Sequence, residues 1–405
     1  MQIRPATGQD LDVFVDTLHA AFGLFPETPV DGGGLWWSAL ETDRCLLAST
    51  ADGRPVGTAA TYSFELTLPG GAVVPAGGLT AVGVLPTHRR QGVLSALMRQ
   101  HLADLRARDE SVAVLLSSEA PIYGRFGYGP ATYTSKLTLT RGKAALAVPR
   151  ARGEAPAPET GSVEVVRRDG CGDLLEEVYD RYRRAQPGAL SRPHRWWELR
   201  AGQPPLSPAP RYIAVHRDAD GAPDGYASYA VEAGTLTVDE IIATDDAVFT
   251  ALVRYVLGHD LVSEVVLRHV PADHPLRWQL ADFRAAEVSG VTDWLWVRLL
   301  DVSGALTARG WSVDGELVLD VEDPFLGEQG RYLLTVRDGK ADCAPTDRAP
   351  DLSLDIRDLG SLYLGGTAPS TLVRAGHVTA HRPGAAALAD ALFRTERAPH
   401  CLHWF

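Results

Sequence analysis

The sequence predicts an α+β chain: two mixed α/β units in tandem, then a smaller α+β layer. Three observations predict it. Short apolar, β-prone runs bracket one long amphipathic helix between Leu79 and Leu116. The same order of strand, helix and strand returns between Leu236 and Leu267. After residue 299 the pattern changes to alternating strands and then helices that would cover one face of a sheet. The expected domains are 1–145, 146–298 and 299–405.

In the first domain, Ile3–Ala6 reads as a short strand. A helix capped by Thr7 or Asp10 then turns Leu11, Val15 and Leu18 inward. The aromatic and glycine-rich stretch around Phe25, Trp36 and Trp37 is too irregular for one element. Cys45–Ala48, Pro55–Phe64 and Glu65–Val74 read as strands, with turns at Asp52-Gly53 and Pro69-Gly70-Gly71. Leu79–Leu85 is a further strand, ended by Pro86. Val93, Leu94, Leu97, Met98, His101, Leu102 and Leu105 recur at helical spacing and give that helix one buried face. Val112–Leu116 is the next strand, and Ser118–Gly129 an aromatic-glycine turn.

Between the Leu79 strand and the helix lies Thr87-His88-Arg89-Arg90-Gln91-Gly92. The first N–H groups of a helix have no internal partners, and its dipole places partial positive charge there. Gly92 lets a ligand approach the backbone, and two arginines add full charge. Such a loop is either a seat for phosphate or pyrophosphate or a solvated basic loop with a helix-start glycine. Neither G-x-x-x-x-G-K-[ST] nor a G-x-G-x-x-G following a strand is present.

Tyr133–Thr140 alternates as a strand, and 141–162 reads as a linker. In the second unit, Leu236 aligns with Leu79 by eye, and Asp245-Asp246 stand at the helix start. Carboxylates there cap the helix and repel a pyrophosphate. Further on, Trp294–Val302 is a strand or a crossing between domains. Gly315–Val321, Gly330–Val336 and Leu352–Ile356 read as strands, and Leu359–Leu364 and Ala385–Phe393 as helices.

The 405 residues carry a net charge of −12, which argues against nucleic acid and suits a cationic partner. Four cysteines without C-x-x-C spacing indicate neither a zinc site nor a disulfide framework, so no metal is expected. No signal peptide and no membrane-length apolar run is read. A cytoplasmic protein without a membrane partner is therefore the expectation.

The pattern Arg89-x-x-Gly92-x-Leu94 before a helix resembles the acetyl-CoA loop of the GNAT (GCN5-related) N-acetyltransferases. Leu94 departs from that family's usual Gly or Ala. The runs Ala81–Arg90, Ser118-Glu119 and Ile122–Thr132, with Phe405, are similar to the Eis (enhanced intracellular survival) acetyltransferases. Those actinobacterial enzymes acetylate amines, including aminoglycosides. The resemblance implies tandem GNAT-like domains, the second lacking the CoA loop, and then a sterol-carrier-like domain. It implies acetyl-CoA as cosubstrate, held by Val82, Gly83, Val84, Arg89, Arg90, Gln91, Gly92, Val93, Leu94, Ser95, Ser118 and Glu119. Phe25, Trp36 and Trp37 would line the acceptor pocket. It implies Tyr123 as general acid, the C-terminal carboxylate of Phe405 as general base, and a homohexamer.

Acetyl transfer needs the pyrophosphate held, donors for the thioester oxygen, a base for the amine and an acid for the departing thiolate. Backbone around Val82–Val84 is the expected donor, with Gly83 permitting a bulge. A phenol with pKa near ~10 suits a thiolate of similar basicity. Tyr128 rivals Tyr123, and His403 or Glu119 would replace Phe405. Two other readings stand beside the small-amine acetyltransferase: a catalytically silent binder of the same fold, and a protein-lysine acyltransferase.

Overall fold

The computed structural model describes residues 1–23, 39–147, 161–167, 171–194, 196, 197 and 211–405. Elements follow in chain order: β1 (Gln2–Pro5), α1 (Leu11–Phe22), β2 (Cys45–Ser49), β3 (Pro55–Thr67) and β4 (Val73–Val84). Next come α2 (Val93–Ala107), β5 (Val112–Leu116), the one-turn α3 (Ala120–Tyr123) and β6 (Gly129–Pro130). Then follow β7 (Tyr133–Thr140), β8 (Ser162–Val166), α4 (Gly172–Ala185), β9 (Tyr212–Arg217), β10 (Pro223–Glu232) and β11 (Thr235–Ala243). After these come α5 (Asp246–Leu257), β12 (Glu264–Pro271), β13 (Ala286–Asp293) and β14 (Leu295–Leu299). The remainder is α6 (Val302–Ala308), β15 (Gly315–Asp323), β16 (Glu328–Arg337), β17 (Lys340–Pro345), β18 (Leu352–Asp355), α7 (Ile356–Tyr363), α8 (Pro369–Arg374), β19 (Thr379–Ala380) and α9 (Ala385–Phe393).

Two compact units result. One contains Met1–Thr132, Trp294–Glu396 and Phe405; the other contains Tyr133–Asp293 and Arg397–Trp404. The first holds two sheets, ordered β1-β2-β3-β4-β5-β14-β6 and β17-β16-β15-β18-β19. The second holds one sheet, ordered β13-β7-β12-β11-β10-β9-β8.

Two strands lie on the far side of the boundaries read from the sequence. β7, before residue 145, is hydrogen-bonded between β12 and β13. β14, before residue 299, pairs with β5 from Leu295↔Leu116 to Leu299↔Val112. An apolar strand needs a partner on each open edge, and sequence distance places no limit on which edge it takes. Likewise, the separate runs expected at 65–74 and 79–85 merge. β3 reaches Thr67, a turn follows, and β4 is continuous from Val73 to Val84. Helix α1 buries Phe14, Thr17, Leu18 and Ala21, with Val15 only half-buried, so its inward face is rotated from the expected one.

Helix α2 turns its expected face inward, except that Leu94 is only half-buried. It buries Val93, Leu97, Met98, His101, Leu102 and Leu105. Its apolar residues form one cluster with Leu46, Ala48, Val56, Leu79, Leu115 and Trp296. Each fully buried Leu there contributes roughly 1.5–3 kcal/mol of transfer free energy.

The closed end of the β4–β5 pair is fixed electrostatically. Arg44, just before β2, donates from Nη1 and Nη2 to the Glu110 carboxylate at 2.7 and 2.8 Å, and from Nη1 to Ser63 Oγ at 2.6 Å. Both side chains are nearly buried, 4% and 9% exposed. Gly77 leaves room for them: a Cβ there would sit 2.8 Å from Glu110 Oε2. Removing one partner strands the other charge in the interior. Glu110→Ala should therefore lower unfolding stability by about 3–5 kcal/mol, read from the denaturation midpoint at constant slope. A loss below about 1 kcal/mol, the range of exposed pairs, would contradict a structural role for this pair.

Candidate active site

Strand β4 pairs in parallel with β5 only from Ala76↔Val112 to Leu79↔Leu115. Its pairing with β3 shifts at the same level: Thr80 faces Ala60, but Gly83 faces Thr58. One extra residue is thus accommodated on β4, a β-bulge that turns its edge away from β5. Ala81 takes φ 49° there, and Thr58 Oγ1 donates to the Ala81 carbonyl at 2.9 Å. The bulge falls at Ala81–Val82, so it does not use the conformational freedom of Gly83. Gly83 serves packing instead: a Cβ there would lie 2.9 Å from Ala21 Cβ and 3.0 Å from Leu18 Cδ1 of α1.

Beyond the bulge, residues 85–92 lead to α2. Arg90 and Gly92 both have positive φ, 61° and 82°. Nothing lies within 4 Å of a Cβ added at Gly92, so its conformation, not space, favours glycine. The helix start has no side-chain cap, which leaves the Val93, Leu94 and Ser95 region without a side-chain acceptor. The two arginines differ. Arg89 Nη2 donates to the Ala21 carbonyl at 3.0 Å, holding the last turn of α1. The exposed Arg90 has no hydrogen bond or ion pair among the described residues. Gln91 Nε2 donates to the Thr87 carbonyl at 3.1 Å. Val82 and Val84 are half-buried and Gly83 is buried.

Past β5, Ser118 and Glu119 are exposed, and Tyr123 closes α3 with its ring buried. Tyr128 packs edge-on against it, with ring centroids 6.4 Å apart. The two phenols are in different situations. Tyr128 OH lies 3.1 Å from His101 Nε2, and His101 Nδ1 lies 3.0 Å from Thr61 Oγ1. The Tyr123 hydroxyl has no such partner among the described residues. Burial raises the Tyr123 pKa to about 12, and the nearby Glu119 charge adds to this. Burial drives His101 down to about 3, assisted by the Arg44 and Arg298 charges, so the imidazole is neutral. Periodicity placed His101 on an apolar helix face but gave no sign of its partners.

Phe405 is 6% exposed. Its ring meets Phe64 at 4.8 Å and Tyr62 at 6.5 Å, both edge-on. It also covers Gly78, where a Cβ would sit 3.1 Å from the Phe405 ring. Gly78 is the third residue of the short β4–β5 ladder, so the terminal residue and the bulge belong to one stretch of β4. Phe25, Trp36 and Trp37 lie outside the described residues.

The second unit repeats this topology. β11 pairs in parallel with β12 from Thr235↔Glu264 to Val238↔Leu267, then shifts register against β10 with Asp239 as the extra residue. Ladder ends align Leu79 with Val238, two residues along from Leu236, the counterpart expected from the sequence. Here the strand-to-helix connection is only Thr244 and Asp245. Asp245 caps α5, accepting from the Ala247 and Val248 N–H groups at 2.8 and 2.9 Å. At the bulge, Asp239 is buried and ion-paired to Arg211. Burial raises its pKa, opposed by Arg211. Elsewhere in this unit, donor atoms of Asp173, Glu176 and His194 fall within 4.8 Å of one another.

Residues 2–131 and 188–299 each match an acetyltransferase (GNAT) domain, and residues 302–402 match a sterol carrier protein domain. Fold and site thus define a tandem-GNAT N-acetyltransferase with a sterol-carrier-like domain. An uncharacterized N-acetyltransferase of Streptomyces avermitilis is 38% identical, covering 100% of this chain and 99% of that protein. The N-acetyltransferase Eis of Mycobacterium bovis is 36% identical over 85% of each chain. The crystal structure of Eis1 from Mycobacterium abscessus superposes with a TM-score of 0.86 at 34% identity, covering 100% of both chains. The chain belongs to the Eis family of N-acetyltransferases. Enzymes of this fold take the acetyl group from acetyl-CoA and pass it to an amine. Among the described residues, no helix is long and apolar enough to cross a membrane.

The buried His101 makes stability depend on pH. Its folded pKa is depressed below the ordinary histidine value of 6.5, so below that pH the unfolded chain binds the extra proton. The stabilisation is complete above pH 6.5 and is lost as pH falls toward about 3. Between pH 6 and 4 this one group adds up to about 1.4 kcal/mol per pH unit to the slope of unfolding free energy. His101→Gln should make that slope shallower by about one proton. An unchanged slope would contradict a buried neutral imidazole.

Proposed function

We propose that the chain transfers acetyl from acetyl-CoA to the amine of a cationic small molecule of aminoglycoside type, at the bulge of β4 in the first unit. The reading rests above all on Tyr123, a buried phenol whose hydroxyl has no hydrogen-bond partner among the described residues, beside Tyr128, whose hydroxyl is held by His101. The pyrophosphate sits at Arg90 and the uncapped start of α2, with Gln91 to Ser95 around it. Backbone N–H groups at the Ala81–Val84 bulge receive the thioester oxygen. Ser118 and Glu119 lie along the pantetheine side. The second unit takes no CoA: its helix start is filled by Asp245 and its bulge by the Asp239–Arg211 pair. The net charge of −12 suits a cationic acceptor, and the assembly we propose is the homohexamer.

In this mechanism the Phe405 α-carboxylate takes a proton from the substrate ammonium. The free amine attacks the thioester carbonyl, forming the C–N bond, and the nitrogen then gives up its second proton to solvent. Collapse breaks the C–S bond, and the departing thiolate takes the Tyr123 proton. The phenolate is reprotonated from solvent, and one proton is released per amide formed. A phenol held neutral to high pH cannot serve as the base at neutral pH, which suits the acid role.

Arg90→Ala should raise the KM for acetyl-CoA about tenfold, the effect of losing one charge-assisted contact. Its melting temperature should be unchanged, because the exposed side chain holds nothing in the fold. An unchanged KM would contradict the pyrophosphate seat. For Phe405, one added glycine moves the carboxylate by ~3.3 Å or more, beyond the ~2.6–3.2 Å reach of proton transfer. The extended protein should lose about 10²-fold or more in kcat while still binding acetyl-CoA, and Phe405→Leu should be milder. Full activity in the extended protein would end the carboxylate proposal and favour His403 or Glu119.

A further inference from the structure

The turn after Tyr123 is rich in glycine, and the first unit shows what those glycines admit. Gly127 has φ 79°, and a Cβ on it would overlap the guanidinium of Arg298. A Cβ on Gly129 would overlap the Arg357 carbonyl of α7, and one on Gly124 would sit 3.3 Å from Arg357 Cδ. Gly360 of α7 returns the approach, since a Cβ there would overlap the Val297 carbonyl of β14. The aromatic-glycine motif is thus a seat for β14 and α7, elements remote from it in sequence.

Arg298 is the strongest contact in that seat. It lies in the apolar strand β14 and is fully buried. Nη1 donates to the Phe126 carbonyl at 2.6 Å, and Nη2 is ion-paired to Asp323 at the end of β15. Asp323 is itself fixed, accepting from the Leu326 N–H at 3.1 Å. The turn is internally braced: Gly127 N–H donates to the Gly124 carbonyl at 3.1 Å and Tyr128 N–H to the Tyr123 carbonyl at 3.3 Å. These bonds tie Phe126 and Tyr123 into one turn.

We propose that Arg298, clamped by Asp323, is the positioning residue for Tyr123, and that the sterol-carrier-like part of the chain acts on the reaction through this pair. This rests on the reading of Tyr123 as the acid. A general acid must lie within hydrogen-bond reach of the atom it protonates, so a shift of about 1 Å costs rate, not cofactor affinity. Loosening the turn also admits water around the phenol. Its pKa is held up mainly by burial, with Glu119 as the facing charge and the Tyr128 ring beside it. Hydration moves it down toward ~10.

The test is steady-state kinetics of Asp323→Asn, with and without Tyr123→Phe, using acetyl-CoA and whichever amine of a panel turns over fastest. Arg298→Lys, which keeps the charge but loses the planar fork, replaces it if the asparagine variant does not fold. The expected result is a fall in kcat of about tenfold, with KM for acetyl-CoA within about twofold. The alkaline limb of the kcat profile should move to lower pH, and nothing further should be lost in the Tyr123→Phe background. A loss that multiplies with that of Tyr123→Phe, or an unmoved alkaline limb, would reduce Arg298 to a purely structural residue. If Tyr123→Phe alone leaves kcat intact, the acid assignment falls and the positioning role with it. If Tyr123→Phe is slow while Asp323→Asn keeps full kcat, only the positioning role falls.

Discussion

The parallel ladder between β4 and β5 runs from Ala76 to Leu79 and ends at a bulge in which Ala81 takes a left-handed conformation. Beyond that point the β5-facing peptide groups of β4 are released from the sheet. Buried backbone donors and acceptors must find partners, and in the proposed reaction a thioester with its amide-bearing arm would supply them. The same divergence leads the chain into the loop whose Gly92 and Arg90 face an uncapped helix start. It also separates β4 from the Tyr123 turn that follows β5. The bulge, the proposed anion seat and the proposed acid all follow from one place where two strands stop pairing.

The second unit shows how little must change to close such a site. Its ladder runs over Thr235 to Val238 and ends in a bulge, as in the first. Yet the connection to its helix is cut to Thr244 and Asp245, and Asp245 occupies the helix N–H groups. A carboxylate, Asp239, with an arginine beside it, stands in the bulge itself. The ladder and bulge of the first unit are thus repeated, while side chains of the chain cap the helix and occupy the bulge.

The sequence made the local parts legible and left the nonlocal ones dark. Helical spacing located the buried face of α2, and the acidic pair Asp245-Asp246 announced a cap. The strand β5 was bounded by its own composition. What periodicity cannot supply is partnership. Nothing in Tyr133–Thr140 says that it pairs with β12, or in Leu295–Leu299 that it pairs with β5. Arg89 read as a phosphate-seat cation because it stands with Arg90 and Gly92 just before a helix; its bond to the Ala21 carbonyl of α1 was not visible there. Two signals were available and undervalued. Arg298 interrupts an otherwise apolar strand, and His101 interrupts an apolar helix face; each is a polar group whose burial requires a specific partner.

The central claim is that only the first unit offers an acetyl-CoA seat. Isothermal titration of the full chain with acetyl-CoA tests it directly. The account predicts one site per chain. Two sites per chain would contradict it, because a second CoA would have to bind where Asp245 caps the helix and Asp239 fills the bulge.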